Sequence, residues 1–245
     1  MSSVTPSILV IIPTYNEVDN LIPLTRLVLE TLPDADVLII DDNSADQTGA
    51  LADDLARSEP RVQVFHHPRK LGYASGIKLG MEHALRNGYS HMLKMSADFM
   101  HNPRYLPCLV AQANDYDMII GSRYVEGGGS VGDNLLLRSL TTQFNKLAAK
   151  MLRLDVRDCT SRFRCISTAL LSAIHFNEIT SDGLAFDLDI LLRSMQHGCR
   201  LCEVAVIYDN RRVNAHAGGS NNPFKAMASV IARWLQARPK QTEKR

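Results

Sequence analysis

The sequence predicts an α/β protein, a three-layer sandwich in which helices cover both faces of a mostly parallel sheet. Apolar β-branched runs alternate with amphipathic helical stretches through the first half of the chain, a pattern typical of repeated strand–helix units. The runs are apolar throughout instead of alternating, so their strands are expected to be covered on both faces. The chain has 245 residues, which is long enough to bury one substantial core.

The first half is predicted to alternate strands with helices. The helices are expected at about 20–32, 48–57 and 73–86. The strands are expected at 8–12, 37–40, 62–65, 91–95 and 118–120. In open sheets of this kind ligands bind beyond the carboxyl ends of the strands, so a site is expected along that edge.

The second half is predicted to be less regular. A Gly-rich loop at 125–133 precedes an amphipathic helix at about 135–152. A short strand is expected at 163–166. Further helix follows to about residue 198, and another strand is expected at 201–208. Residues 209–222 are dense in Asn, Arg, Gly and His and are predicted to form an irregular loop. We expect a single domain over 1–222, followed by a basic amphipathic helix and tail over 223–245.

Charge and cysteine content bear on location and partners. Lys plus Arg number 27 and Asp plus Glu number 26, so no global field favours nucleic acid. The amino-terminal segment lacks a basic n-region, and no stretch reaches the roughly 18 apolar residues of a spanning helix. The five cysteines are an odd number, which indicates free thiols in a reducing compartment. We therefore expect a cytoplasmic protein, soluble or peripheral at a membrane.

Polar clusters follow the predicted strands. PTYNE (13–17) follows the first strand without the glycine pattern that holds a dinucleotide pyrophosphate, which argues against a nicotinamide enzyme. DDNS (41–44) follows the second strand, and its paired carboxylates are suited to ribose hydroxyls or a base N–H. Residues 42–44 are equally suited to capping the next helix, so this cluster alone leaves both interpretations open.

Several motifs follow one another along the chain. They are IIPTYNE (11–17), IIDDNSADQT (39–48), GSRYVEGGG (121–129), Arg138 and Asn145, and TSRFRCIS (160–167). Their order resembles the family 2 inverting glycosyltransferases of the GT-A fold, and within them the dolichol-phosphate mannose synthase group. The resemblance covers roughly residues 8–220 and implies transfer of a hexose from a nucleoside diphosphate sugar to a polyprenyl phosphate, with GDP-mannose as the favoured donor.

The resemblance also assigns a nucleotide-binding half. A divalent cation, Mg²⁺ or Mn²⁺, would neutralise charge developing on the leaving diphosphate, and Asp98 is its expected ligand. The chain departs from the family's Asp-x-Asp pattern, because Ser96 replaces the first Asp and Met100 stands where a polar residue is common. His101 is either a ligand better suited to Mn²⁺ or a capping or stacking residue. The residues expected to bind the nucleotide sugar are Pro13, Tyr15, Glu17, Asp41, Asp42, Lys70, Ser96 and Arg164.

The catalytic half of the resemblance depends on arginines. A planar guanidinium suits bidentate contact with phosphate, and Arg123 precedes a run of glycines that lets a loop close. The alternative is a surface arginine paired with Glu126 or Asp133. Arg162 stands where the family usually has Gly, which is expected to narrow the site. In the loop that resembles the family's diphosphate-closing segment, Arg212 is favoured slightly over Arg211.

Two carboxylates open a predicted helix near the expected acceptor. Asp187 and Asp189 are two residues apart, so they point to different faces of the helix. One of them would be the general base if the acceptor is a hydroxyl, whereas an anionic lipid phosphate needs no base. The alternative role for these carboxylates is to interact favourably with the positive end of the helix dipole. The residues expected to act in catalysis are Asp98, Arg123, Arg138, Asp187, Asp189 and Arg212.

The C-terminal segment and the altered motif leave alternatives. The stripe beyond Pro223 carries the only Trp and is flanked by basic residues, which suits an interfacial membrane anchor, docking on its own domain or a partner subunit. The predicted function is mannosyl transfer to a polyprenyl phosphate. The alternatives are a GT-A transferase with a soluble acceptor and a weakened nucleotide-sugar-binding relic, which Ser96, Met100 and Asn221 motivate.

Overall fold

A seven-stranded sheet organises the chain in a computed structural model that describes residues 6–132, 135–152 and 154–212. Its strand order is β3-β2-β1-β4-β7-β5-β8, and a second, two-stranded sheet pairs β6 with β9. The strands are β1 (Ile8–Thr14), β2 (Asp36–Asp41), β3 (Val62–His66), β4 (His91–Lys94), β5 (Met118–Ser122), β6 (Gly129–Val131), β7 (Arg164–Ser167), β8 (Leu201–Ala205) and β9 (Ile207–Asp209).

Helices cover both faces of the large sheet. The helices are α1 (Leu21–Thr31), α2 (Thr48–Ser58), α3 (Tyr73–Arg86), α4 (Leu106–Val110), α5 (Leu135–Leu152), α6 (Thr168–Ala173) and α7 (Gly183–Gln196). Successive residues of β1 point to opposite faces, so Val10 belongs to the core that includes residues of α1, α2 and α4, and Ile11 belongs to the core that includes residues of α3, α5, α6 and α7. The two cores account for the continuously apolar strands and confirm the predicted three-layer α/β sandwich.

One strand reverses the direction of the sheet at its centre. β7 runs antiparallel to both β4 and β5, whereas the other neighbouring pairs of the large sheet are parallel. The parallel order β2-β1-β4 brings the carboxyl ends of three strands side by side. The segments that follow Thr14, Asp41 and Lys94 therefore meet at one edge, where the site lies.

The segment predicted as one strand over 201–208 divides into two. β8 pairs with β5 of the large sheet, and β9 pairs with β6 of the small sheet. Val206 separates them, donating its N–H to the Ser122 carbonyl and accepting from the Gly129 N–H, both at 3.0 Å. The strand breaks because its two halves have partners in different sheets.

Other features of the described residues bear on the sequence predictions. The five cysteines are free thiols. Within the described ranges the helices are all too short or too polar to cross a membrane. The predicted helix and tail at 223–245, the loop residues 213–222 and Asp133 lie outside the described residues.

Candidate active site

A pocket opens at the carboxyl edge of β1, β2 and β4. Segments from the ends of these strands form most of its wall, together with the start of α3 and one arginine that precedes β7. The described residues that line it are Pro13, Thr14, Tyr15, Glu17, Ile40, Asp42, Lys70, Gly72, Tyr73, Gly76, Ile77, Lys94, Met95, Ser96, Ala97, Asp98, Met100 and Arg162. Most of the predicted nucleotide-sugar residues are thus brought together: Pro13, Tyr15, Glu17, Asp42, Lys70 and Ser96.

The loop after β1 is joined to the loop after β2. The Asn16 N–H donates to the Ser44 hydroxyl and the Asn16 side chain accepts from the Ala45 N–H, both at 2.9 Å. The Glu17 N–H donates to the Thr48 hydroxyl at 2.9 Å, at the start of α2. The left-handed backbone of Asn16, with φ of 57°, makes this turn possible, and Asn tolerates that conformation better than most residues. PTYNE and DDNS therefore form one wall of the pocket.

Lys70 and Tyr15 meet across the pocket. The Lys70 ammonium lies 3.4 Å from the centroid of the Tyr15 ring, as a cation–π contact. Both side chains line the pocket, so this end presents an aromatic surface and a positive charge. Those are the groups that suit a nucleotide's base and phosphates.

Asp42 fixes the loop that carries Lys70. Its carboxylate accepts from the backbone N–H groups of Leu71 at 2.7 Å and Gly72 at 2.9 Å, and contacts His67 Nδ1 at 2.8 Å. Burial works to raise the pKa of Asp42, but the hydrogen bonds from Leu71, His67 and Gly72 outweigh it and the pKa is lowered. Asp42 lines the pocket as a carboxylate that already has protein partners.

Gly72 is required where that loop enters α3. Its φ of +93° lies in a region of backbone conformation that residues with a side chain rarely adopt. A Cβ at this position would lie 2.8 Å from Oδ2 of Asp182. Since the Oδ1 of Asp182 accepts from the Ala74 N–H at 2.7 Å, that carboxylate is fixed close to the loop. The backbone thus reaches the pocket wall without a side chain.

Asp41 faces away from the pocket. It is buried, it accepts from the Ser44 N–H at 3.2 Å and from the Ser44 hydroxyl, and it contacts His66 Nδ1 at 3.2 Å. The other ring nitrogen of His66 contacts Asp53 at 3.0 Å. Asp41 is not among the described residues that line the pocket, which argues against ribose contact. The capping interpretation is not supported either, because α2 begins after Gln47 with no side-chain cap hydrogen bond.

His66 gives a pH dependence at this cluster. The hydrogen bond to Asp53 is the largest influence and raises the pKa of His66 above its ordinary 6.5, with Asp41 adding to it and burial opposing it. Because the pKa of His66 is raised on folding, its contribution to the stability of the folded protein is fully present below the pKa of the unfolded state and is lost as pH rises through the pKa of the folded state.

NMR titration of Asp53→Asn should show the His66 pKa falling toward 6.5. Asp54→Asn is the matched control, and an equal fall in both variants would contradict the assignment.

The segment after β4 places Ser96, Asp98 and His101 together. The Ser96 N–H donates to His101 Nδ1 at 3.0 Å, so in the neutral ring the proton is on Nε2. The His101 ring stacks on Phe163 with centroids 4.9 Å apart. Burial, then Arg123, Arg162 and Lys94, hold the pKa of His101 well below its ordinary value. His101 is thus a neutral stacking residue whose Nδ1 is engaged, which favours the stacking interpretation over a metal ligand.

The donor set near Asp98 does not fit a metal held by the protein. Asp98 lines the pocket and accepts from the Met100 N–H at 3.1 Å. The neighbouring candidate positions offer the hydroxyl of Ser96 and the thioether of Met100, and a soft thioether is a poor ligand for Mg²⁺ or Mn²⁺. Among the described residues, no group of three or more His, Cys, Asp or Glu side chains is placed to hold a metal ion. Asp98 is one isolated carboxylate at this end.

Two cations share one carboxylate beneath the pocket. Asp187 is 0 % exposed and is held by the Lys94 ammonium, by Arg162 Nε at 3.1 Å and by the Tyr73 hydroxyl at 3.1 Å. Burial works to raise the pKa of Asp187, but Lys94, Arg162 and Arg164 outweigh it, so the pKa is lowered and the group is a carboxylate. Burial lowers the pKa of Lys94 to about 8 despite Asp187, and the ammonium is still mainly protonated at neutral pH.

The arginine predicted to face phosphate is held by a buried aspartate. Arg123 donates from its backbone N–H, Nε and Nη2 to Asp158, at 3.0, 2.9 and 2.8 Å. Nη2 also reaches the Thr160 hydroxyl at 2.7 Å, and the guanidinium lies 4.7 Å from the Tyr208 ring centroid. Arg123 is not among the described residues that line the pocket. Its charged partner among the described residues is Asp158, where the sequence analysis weighed Glu126. Asp133, the other candidate, lies outside the described residues.

The remaining predicted residues lie elsewhere. Arg164 is fully buried and donates to the carbonyls of Ser161, Asp187 and Cys159, so its role in the structure is to support β7 and α7. Arg138 is exposed on α5. Asp189 accepts from the Ser181 hydroxyl. These three are not among the described residues that line the pocket, and the side chain of Arg212 lies outside them.

Some site residues carried no motif signal. Lys94 and Tyr73 line the pocket beside Arg162, and Asp158 fixes Arg123. Lys94 offers one clue, because it is the single Lys in the apolar run HMLKM and stands at the end of a predicted strand. A lysine buried in a strand generally has an anionic partner.

The sheet order, with the pocket at the ends of β1, β2 and β4, is that of the GT-A fold. Two solved structures share it. One is glucosyl-3-phosphoglycerate synthase from Mycobacterium tuberculosis with Mn²⁺, UDP and glucosyl-3-phosphoglycerate, with a TM-score of 0.62 and 16% identity over 94% of this chain and 79% of that one. The other is the mannosyltransferase PcManGT from Pyrobaculum calidifontis with GDP-Man and Mn²⁺, with a TM-score of 0.58 and 14% identity over 97% and 77%.

The chain belongs to glycosyl transferase family 2, whose model matches residues 9–174. Polyprenol monophosphomannose synthase from Mycolicibacterium smegmatis is 34% identical over 94% of this chain and 87% of its own length. Undecaprenyl-phosphate mannosyltransferase from Micrococcus luteus is 34% identical over 94% of this chain and 95% of its own length. The family and the GT-A fold predicted from the motifs are confirmed, and the protein is a glycosyltransferase.

Proposed function

We propose that this protein transfers mannose from GDP-mannose to a polyprenyl phosphate, with inversion at the anomeric carbon. The observation that carries the proposal is the match over 94% of the chain to two enzymes named for mannosyl transfer to polyprenyl phosphates. The pocket agrees with it, because an aromatic and acidic end suited to a nucleoside adjoins a cationic end suited to a diphosphate.

The donor is proposed to lie along the edge of the sheet. Pro13, Tyr15, Glu17 and Asp42 line the end assigned to the base and ribose. Lys70 lies against Tyr15 at that end, and Lys94 and Arg162 line the pocket where they contact Asp187. A nucleoside diphosphate placed in this direction puts its negative charge beside the cations and its sugar toward Asp98.

The proposed transfer is a single displacement. An oxygen of the acceptor phosphate attacks the anomeric carbon, a new C–O bond forms, and the bond to the donor diphosphate breaks on the opposite face, releasing GDP. The attacking oxygen is already anionic, so no proton is removed from it. This fits the placement of Asp187 and Asp189, since both have protein partners and neither is among the described residues of the pocket wall.

Asp98 is proposed to face the sugar of the donor. No metal role is proposed for it, because its neighbours Ser96 and Met100 do not complete a donor set for Mg²⁺ or Mn²⁺. Arg138 and Arg212 stay predictions for phosphate contact. Arg123, fixed by Asp158, is proposed to support the loop that begins at strand β5.

A lipid acceptor places the reaction at a membrane surface, proposed to be the cytoplasmic face. Leu140, Leu147 and Met151 lie exposed along α5 at a spacing that puts them on one side of the helix. Such a stripe supports peripheral contact, because an amphipathic helix buries its apolar side at the membrane interface. The 223–245 segment, for which the same contact was predicted, lies outside the described residues.

An assay with defined substrates tests the proposal. The full chain is incubated with radiolabelled GDP-mannose and a short-chain polyprenyl phosphate in detergent, with and without Mn²⁺, and the glycolipid is extracted. We expect labelled lipid whose anomeric configuration is opposite to that of the donor. The matched acceptor control is the polyprenol without its phosphate, which should stay unlabelled. Absence of product with GDP-mannose, or equal labelling of the polyprenol, would refute the proposed function.

A further inference from the structure

The wall of the pocket near Asp187 carries two cations. Lys94 and Arg162 both contact the Asp187 carboxylate, and Arg164 acts with them to lower its pKa. Lys94 is 1 % exposed and the Arg162 side chain is 21 % exposed, so water screens them little. Two poorly screened cations therefore share one buried carboxylate at this wall.

Two of the three cations face the pocket. Lys94 and Arg162 line it, whereas Arg164 is turned inward and donates to three backbone carbonyls. Arg162 is held in place by Asp187 and by the Tyr73 ring, whose centroid lies 4.5 Å from its guanidinium carbon. Fixed cations at low exposure cost free energy unless an anion joins them. A diphosphate is an anion of suitable charge, and a guanidinium binds phosphate bidentately.

The same wall disfavours an additional cation. Asp98 is an isolated carboxylate, and a divalent ion beside it would share the pocket with two fixed positive charges. Like charges at short distance in a poorly screened site repel strongly. The residues that distinguish this chain from the family pattern act in the same direction: Ser96 removes a negative charge, and Arg162 adds a positive one.

We propose that Lys94 and Arg162 neutralise the donor diphosphate in place of a divalent metal, so that donor binding is independent of metal. The inference rests on the proposed function in one respect, namely that the donor is a nucleoside diphosphate sugar. Lys94 supplies a fixed positive charge, and the planar guanidinium of Arg162 supplies hydrogen-bond donors for the diphosphate. Asp187 is the positioning residue that holds both.

Calorimetric titration of the full chain with GDP, first in excess EDTA and then in excess Mn²⁺, tests the metal dependence. We expect the two dissociation constants to agree within about threefold. Binding seen only with Mn²⁺ would overturn this inference while leaving donor binding, and so the proposed function, intact. Absence of GDP binding in both conditions would overturn the inference and the proposed function together.

Variants of Arg162 test which groups replace the metal. In EDTA, Arg162→Met should weaken GDP binding by about tenfold to a hundredfold, because a charge-assisted contact to phosphate is lost. GMP affinity should change little, which a general collapse of the pocket would not allow. Arg162→Lys should recover part of the GDP affinity, and Arg86→Met, which removes an exposed charge from α3, should leave it unchanged. Equal weakening of GDP and GMP, or unchanged GDP binding in Arg162→Met, would overturn the assignment.

Discussion

Replacing Asp187 with alanine is expected to lower the free energy of unfolding by about 3–5 kcal/mol, the cost of leaving buried charges without their partner. Lys94 and Arg162 both depend on this carboxylate, and Lys94 is 1 % exposed. Urea denaturation followed by circular dichroism measures the change. The loss should be accompanied by weaker GDP binding, because Arg162 loses the group that orients it.

Asp189→Ala is the matched control on the same helix. Asp189 accepts from the Ser181 hydroxyl and is partly exposed, so its removal is expected to cost about 1 kcal/mol. Equal losses in the two variants would show that the Lys94–Asp187–Arg162 cluster has no special role. A general base at Asp187 would instead appear as lost turnover with unchanged stability.

Replacing Asp158 with alanine is expected to have a comparable effect, about 3–5 kcal/mol on the free energy of unfolding. Asp158 is 0 % exposed and accepts three hydrogen bonds from Arg123, whose side chain is 14 % exposed. Removing the carboxylate leaves that guanidinium buried without its partner. The same denaturation measurement detects it, and turnover should fall as the loop after β5 loses its anchor.

A second arginine–aspartate pair with the same donor groups lies at the protein surface. Arg200 donates to Asp117 from the same three groups, its backbone N–H, Nε and Nη2, but its side chain is 64% exposed. Asp117→Ala should therefore cost no more than about 1 kcal/mol, as exposed ion pairs do. Similar losses for Asp158→Ala and Asp117→Ala would show that burial does not set the strength of the Arg123 pair.

Much of the fold follows from local pattern. The alternation of apolar strands and amphipathic helices predicts β1 to β5 and α1 to α3 closely, since each depends on residues near one another in sequence. The antiparallel direction of β7 and the break at Val206 depend on which strands pair, and pairing over long separations leaves no local signal. The position of the pocket was predictable because polar clusters follow β1, β2 and β4.

Individual roles within the site were less predictable. The sequence alone does not show whether an arginine in a motif faces a ligand or supports the backbone. In the structure Arg164 supports the backbone. Asp158 belongs to no motif used in the sequence analysis, and its effect on Arg123 is visible only in three dimensions. Asp41 and Asp42 are neighbours that point in opposite directions, a difference of side-chain orientation that residue spacing alone cannot reveal.

The hydrogen bonds among the loops after β1, β2 and β3 bear on redesign of donor specificity. Asn16 bonds to Ser44 and Ala45, and Asp42 bonds to the backbone of Leu71 and Gly72. Exchanging any one of these loops for that of a relative would break contacts made by the other two. A chimera that is to accept a different nucleotide therefore has to receive all three loops as a set, together with the glycine that lets the third one turn beside Asp182.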